Sequence, residues 1–122
     1  MNACTDGNGR AEDNNSGNGS STSCTSSNKD RHVFFNYDAP VTSGSVINGI
    51  EVRLDAWTDS SSSSPKMCVQ LSWNGGASWT TAKEATALTS SERTYTLGTA
   101  SDTWGRTWTA EELSNNNFRI RI

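Results

Sequence analysis

The chain has 122 residues, a mass of 13.1 kDa, a formal net charge of -3 and a pI near 5.0. That length carries one core, the charge leaves no basic excess for neutralising phosphates, which argues against nucleic acid as a partner, and no apolar run reaches membrane-spanning length. Ser, Thr and Asn fill more than a third of the chain while Leu and Lys are scarce, which excludes a helical bundle and suits a thin antiparallel β-sandwich with hydroxyl-rich outer faces.

Residues 1–30 are rich in Gly, Asn, Ser and Asp and nearly free of large apolar side chains, so they are expected to lie on or cover a sandwich formed by 31–122. The opening MNACTDGNGR has neither the basic start nor the apolar middle of a signal peptide. Asn14-Asn15-Ser16 and Asn18-Gly19-Ser20 read as glycosylation sequons, a surface feature. Asp6, Asn8, Glu12 and Asp13 supply oxygen ligands of the kind calcium takes, but Gly17 stands where an EF-hand needs its glutamate, and a solvated acidic loop is the simpler reading.

Cys4, Cys24 and Cys68 match no zinc spacing, and His32 is the single histidine. Paired cysteines in a small polar chain indicate an oxidising compartment, extracellular or at a cell surface. Cys24 with Cys68 is the expected pair, because the first ends the polar segment and the second lies in a strand; Cys4 is then a free or intermolecular thiol. Pairing of Cys4 with Cys24 stays open.

From Arg31 the pattern turns to strands. RHVFFNYD places Val33, Phe35 and Tyr37 on one parity, and Pro40 and Gly44 then reverse the chain. INGIEVRLDAW alternates Ile50, Val52, Leu54 and Ala56 with Glu51, Arg53, Asp55 and Trp57, one face core and the other wet. A loop follows through Ser60–Ser64 and Pro65. KMCVQLSW then sets Met67, Val69, Leu71 and Trp73 inward and Cys68 outward, where a covering N-terminal segment can bring Cys24 to it. SWTTAKEA, RTYTL and NFRIRI complete the strands, the last alternating Phe118, Ile120 and Ile122 with Arg119 and Arg121. Thr109 followed three residues later by Glu112 is a capping box for one helical turn.

Asn74-Gly75-Gly76 supplies a turn with positive φ. The segment Ser72 to Trp79 resembles the Asp-box hairpin of sialidases and other β proteins, matching it at Ser72, Gly76, Ser78 and Trp79, with Asn74 in place of the aspartate. That resemblance implies a hairpin and no catalysis, and both Trp73 and Trp79 are read as core. Over roughly residues 14 to 122, with GIEV, LSWNGG and WGRTW its most specific parts, the chain also resembles a β-sandwich module of very large secreted bacterial surface proteins and some phage structural proteins. The resemblance implies a jelly-roll-like extracellular module engaged in adhesion or glycan binding. Such modules commonly continue past the strand corresponding to FRIRI, so Phe118, Ile120 and Ile122 are expected to form an open edge, completed by a strand from a neighbouring copy or module, or by the first thirty residues.

Flat sugar sites use exposed rings. Trp57, by its parity, and Trp104 with Trp108, flanking Gly105-Arg106 and close to Asp102, are the candidate polysaccharide contacts. No nucleophile context surrounds His32 and no G-x-S-x-G occurs, so no enzyme is expected. The outward carboxylates Glu51, Asp55 and Asp59 read as solubilising charges rather than a glycosidase pair. Lys66 and Lys83 are candidates for a self-formed isopeptide bond. The sequence thus points to a non-catalytic extracellular module for surface attachment or for assembly with neighbouring subunits; a carbohydrate-binding module is the other reading.

Overall fold

The structure, a computed structural model, describes residues 23–26 and 31–122. The calcium candidates Asp6, Asn8, Glu12 and Asp13, the two sequons, Cys4, and most of the segment expected to cover the sandwich lie outside the described residues.

The fold is all-β and sandwich-like. Among the described residues its strands are β1 (Val33–Phe34), β2 (Val52–Ala56), β3 (Cys68–Ser72), β4 (Lys83–Glu84), β5 (Arg93–Leu97) and β6 (Arg119–Arg121), with one 3-10 turn at Glu111–Leu113. They form two antiparallel sheets, one of four strands in the order β1-β6-β3-β4 and one pairing β2 with β5. Where apolar and polar residues alternate strictly the expected strands form, because a period of two gives each pleat one apolar face. In β2 and β5 this face carries Val52, Leu54, Tyr95 and Leu97; in β3 and β6 it carries Val69, Leu71 and Ile120. Val69 and Leu71 are fully excluded from water, and each contributes roughly 1.5–3 kcal/mol by burial.

The register places side chains. Leu71 stands opposite Ile120, and Ile120 opposite Phe34, so these three share the core face. Gln70, Arg121 and Val33 form the next row and point away from the core. The core side of β1 is therefore Phe34, and Val33, on the parity shared with Phe35 and Tyr37, lies on the other side. In the apolar run Val33-Phe34-Phe35 either parity is apolar, and pairing with β6 decides between them. The strand then ends early, since Asn36 and Asp38 adopt φ of 63° and 49°, a left-handed conformation these residues tolerate better than most.

The last strand, β6, does not lie at an edge of its sheet. Its neighbours are β1 on one side and β3 on the other, and His32 and Ile122 exchange backbone hydrogen bonds of 2.8 and 2.9 Å. Phe118 and Ile120 are buried and Ile122 packs against them. These residues form a central strand, not an open assembly edge.

The capping box is present as read. The Thr109 amide donates to the Glu112 carboxylate at 2.9 Å and the Glu112 amide to the Thr109 hydroxyl at 3.4 Å. The hairpin after β3 also forms, with Gly75 and Gly76 at φ of 71° and 96°. The Asn74 side-chain oxygen accepts from the Ser78 amide (2.8 Å) and the Ser72 hydroxyl (3.2 Å), while the Ser72 hydroxyl oxygen accepts from the Gly76 amide (2.9 Å). An amide in the aspartate's place thus keeps the turn's network.

Candidate functional site: the outer face of the four-stranded sheet

Cys24 is bonded to Cys68, with their Cα atoms 5.5 Å apart. Cys68 opens β3 on the outward parity, so the disulfide fixes residues 23–26 beside the outer face. Among the described residues, the single group of His, Cys, Asp or Glu close enough to share an ion is Cys24, Cys68 and Glu84. Its two sulfurs are consumed by the disulfide, and Glu84 is paired with Lys66 at 2.6 Å.

Beyond the disulfide the face is set by alternation in β6. Arg119 and Arg121 project outward two residues apart, about 7 Å along a strand. Arg121 lies over the Trp79 ring at 4.2 Å and donates its Nε (3.2 Å) and an Nη (2.5 Å) to the Gln70 side-chain oxygen. Arg119 lies over the Phe35 ring at 5.0 Å and donates to the Asn115 and Phe118 carbonyls at 2.6 and 2.8 Å. Arg31 donates to the Ser26 carbonyl at 2.7 Å. Partial burial of Arg121, and then the like charge of Arg31, make its charged form less favourable than in water. No carboxylate among the described residues forms an ion pair with Arg31, Arg119 or Arg121. By contrast Arg53 pairs with Asp55 at 3.2 Å and Arg106 with Glu112 at 2.8 Å.

Trp79, read as core, therefore belongs to this outer face. Trp73 does pack on the core, edge-on to Trp108 with ring centroids 6.4 Å apart.

The expected sugar platform of Trp104 and Trp108 is absent as an exposed surface. Trp104 is 5% and Trp108 3% exposed. The Trp104 indole N–H donates to the Ile50 carbonyl and that of Trp108 to the Thr103 carbonyl, both at 2.8 Å. The Trp-Gly-Arg-Thr-Trp run folds both rings inward, because Trp104 at φ 54° and Gly105 at φ 78° reverse the chain while Asp102 accepts the Trp104 amide at 2.8 Å. Arg106 fills the space between Trp73 and Trp108, 4.2 and 4.5 Å from their rings, and joins them to the 3-10 turn through Glu112. Asp102 is held in its charged form by Lys83, whose ammonium lies 2.7 Å away and 5.1 Å from the Trp104 ring centroid. These residues brace the core.

Trp57 is exposed as its parity requires, on the other sheet, beyond the Arg53, Asp55 and Thr94 cluster. Of the isopeptide candidates, Lys66 faces Glu84 and Lys83 faces Asp102. Both are water-accessible ion pairs. Condensation needs a neutral amine and a protonated acid, and the direction of the Asp102 shift opposes the latter.

The sequence alone does not mark residues 31, 35, 70, 79, 119 and 121 as a unit. The alternation Phe-Arg-Ile-Arg-Ile announces two guanidiniums on one face; their neighbours come from three other segments and appear only with the register. No family model matches the chain, and no curated protein or solved structure does either.

Proposed function

We propose that this chain is a non-catalytic extracellular module that attaches to other surfaces through the outer face of its four-stranded sheet. The observation that carries this reading is a cluster of three guanidiniums without a carboxylate partner among the described residues, two of them backed by aromatic rings, beside a disulfide. Disulfides persist where the environment is oxidising, in keeping with an extracellular site of action. Among the described residues no helix is long and apolar enough to cross a membrane. The resemblance to secreted surface modules supports attachment as well.

Catalysis has no comparable support. Asp55, Asp102 and Glu112 each neutralise a neighbouring cation. Strand donation at β6 loses its basis, because both sides of that strand are paired.

The test is adhesion of beads carrying the oxidised protein to surfaces coated with neutral polysaccharide, acidic polysaccharide or mucin, alongside ester, glycoside and peptide hydrolysis assays. Adhesion to at least one surface without turnover is expected. Beads that adhere no better than bare ones, or measurable turnover, would overturn the reading. Light scattering with and without reductant addresses assembly in parallel, and a monomer in both is expected.

A further inference from the structure

Resting on the attachment reading, we infer that the arginine face binds a carboxylate-bearing polysaccharide. The whole chain is net -3 with ten Lys and Arg, yet three of those cations share one sheet face. The lysine beside this face, Lys66, is already paired with Glu84. A carboxylate is the group a planar guanidinium fork matches best, through two parallel N–H···O bonds.

Donors remain for it. Of the five N–H groups of a guanidinium, contacts with the described residues use the Nε and one Nη of Arg121, one Nη of Arg119 and one Nη of Arg31. The rings of Trp79 and Phe35 and the side chain of Gln70 hold two of the three guanidiniums in place, so little side-chain freedom is lost when a ligand arrives. The mutual repulsion of Arg31 and Arg121 is relieved by an anion, which adds to the driving force.

Polarity distinguishes the ligand class. Protein interfaces centre on buried apolar anchors, whereas the exposed large hydrophobics of the described residues, Tyr37, Val46 and Trp57, lie outside the rows of this face. A nucleic acid backbone needs a long basic stripe. Here the arginines border on the uncharged disulfide and the neutralised Lys66–Glu84 pair. An acidic sugar chain, hydroxyl-rich with separated carboxylates, fits the separated guanidiniums.

The experiment is affinity electrophoresis of the oxidised protein in gels containing polygalacturonate, fully methyl-esterified pectin, dextran or oligothymidylate. Retention by polygalacturonate alone is expected, weakening as salt is raised. Arg31→Gln, Arg119→Gln and Arg121→Gln should each lower the affinity roughly tenfold, the value of one charge-assisted hydrogen bond. Arg53→Gln, on the other sheet, should leave it unchanged. Arg31→Gln removes no ring contact and guards against loss of folding, which thermal melting of all four variants checks. Equal retention by the esterified polymer or dextran overturns the carboxylate requirement, and equal retention by oligothymidylate overturns the sugar class. Retention unaffected by all three arginine variants overturns the site. If beads adhere to neutral polysaccharide while polygalacturonate fails, this inference falls and the attachment reading stands; if nothing adheres, both fall.

Discussion

Removing the Cys24–Cys68 bond is expected to weaken the fold by an amount set by the loop it closes. The sequence separation is 44 residues, for which the chain-entropy relation gives about 4 kcal/mol at 25 °C. That is a large part of the 5–15 kcal/mol typical of a domain. With urea m-values of roughly 1–3 kcal/mol per molar, the unfolding midpoint of Cys24→Ala/Cys68→Ala should fall by roughly 2 M. The assay is urea unfolding followed by tryptophan fluorescence, the rings of Trp104 and Trp108 being buried reporters. Cys4→Ala is the control and should leave the midpoint where it was. A double variant as stable as the parent would refute the entropic argument. If Cys4→Ala and Cys24→Ala lowered the midpoint equally while Cys68→Ala did not, Cys4 would be the partner of Cys24, and the placement of residues 23–26 on the sheet would fall with the bond.

Trp108→Ala should cost about 3–5 kcal/mol, because the ring is buried against Trp73 and Phe118, whereas Trp57→Ala, at a more exposed ring, should cost less; equal effects would contradict the inward placement. Gly98→Ala should destabilise strongly. Its φ is +79° and an added Cβ would lie 2.3 Å from the Ile50 carbonyl oxygen and 2.8 Å from the Trp104 indole nitrogen, so the Trp104–Ile50 hydrogen bond must break; an unaltered midpoint in urea would show that the segment relaxes freely. On acidification, Glu112 should contribute to loss of stability. Its hydrogen bonds from Arg106 hold its carboxyl below the usual range in the folded chain, so this contribution is complete above about pH 5 and disappears as pH falls through the lowered native value. Glu112→Gln should therefore flatten the acid limb of a plot of melting temperature against pH, and an unchanged limb would count against the pairing. Intact mass should equal the sequence mass less only the hydrogens lost at disulfide formation, and a further loss of water would reveal a bond between Lys83 and Asp102 or between Lys66 and Glu84.

What the sequence by itself determined was everything that follows from a period of two and from local turn chemistry. The alternation in 50–57 and 67–73 defined which faces of β2 and β3 are apolar, and Asn74-Gly75-Gly76 reversed the chain because glycines accept positive φ. Thr109 and Glu112 closed their capping box for the same reason, each partner being within one turn of the other. The outward parity of Cys68 even anticipated the disulfide. What only the tertiary structure decided were matters of pairing across distance. In Val33-Phe34-Phe35 every residue is apolar, so the core face was chosen by alignment of Phe34 with Ile120. The strand carrying Phe118 and Ile120 reads as terminal in the chain but is central in the sheet, since strand order is set by which edges find hydrogen-bond partners and not by chain position. Trp104 and Trp108 look like a platform in a polar run. They are buried because a left-handed turn at Trp104-Gly105 aims both indoles at backbone carbonyls that would otherwise lose their partners in the interior. The arginine face arises in the same way: Arg31, Arg119 and Arg121 come from opposite ends of the described chain, and antiparallel pairing of β1 with β6 brings them to one surface.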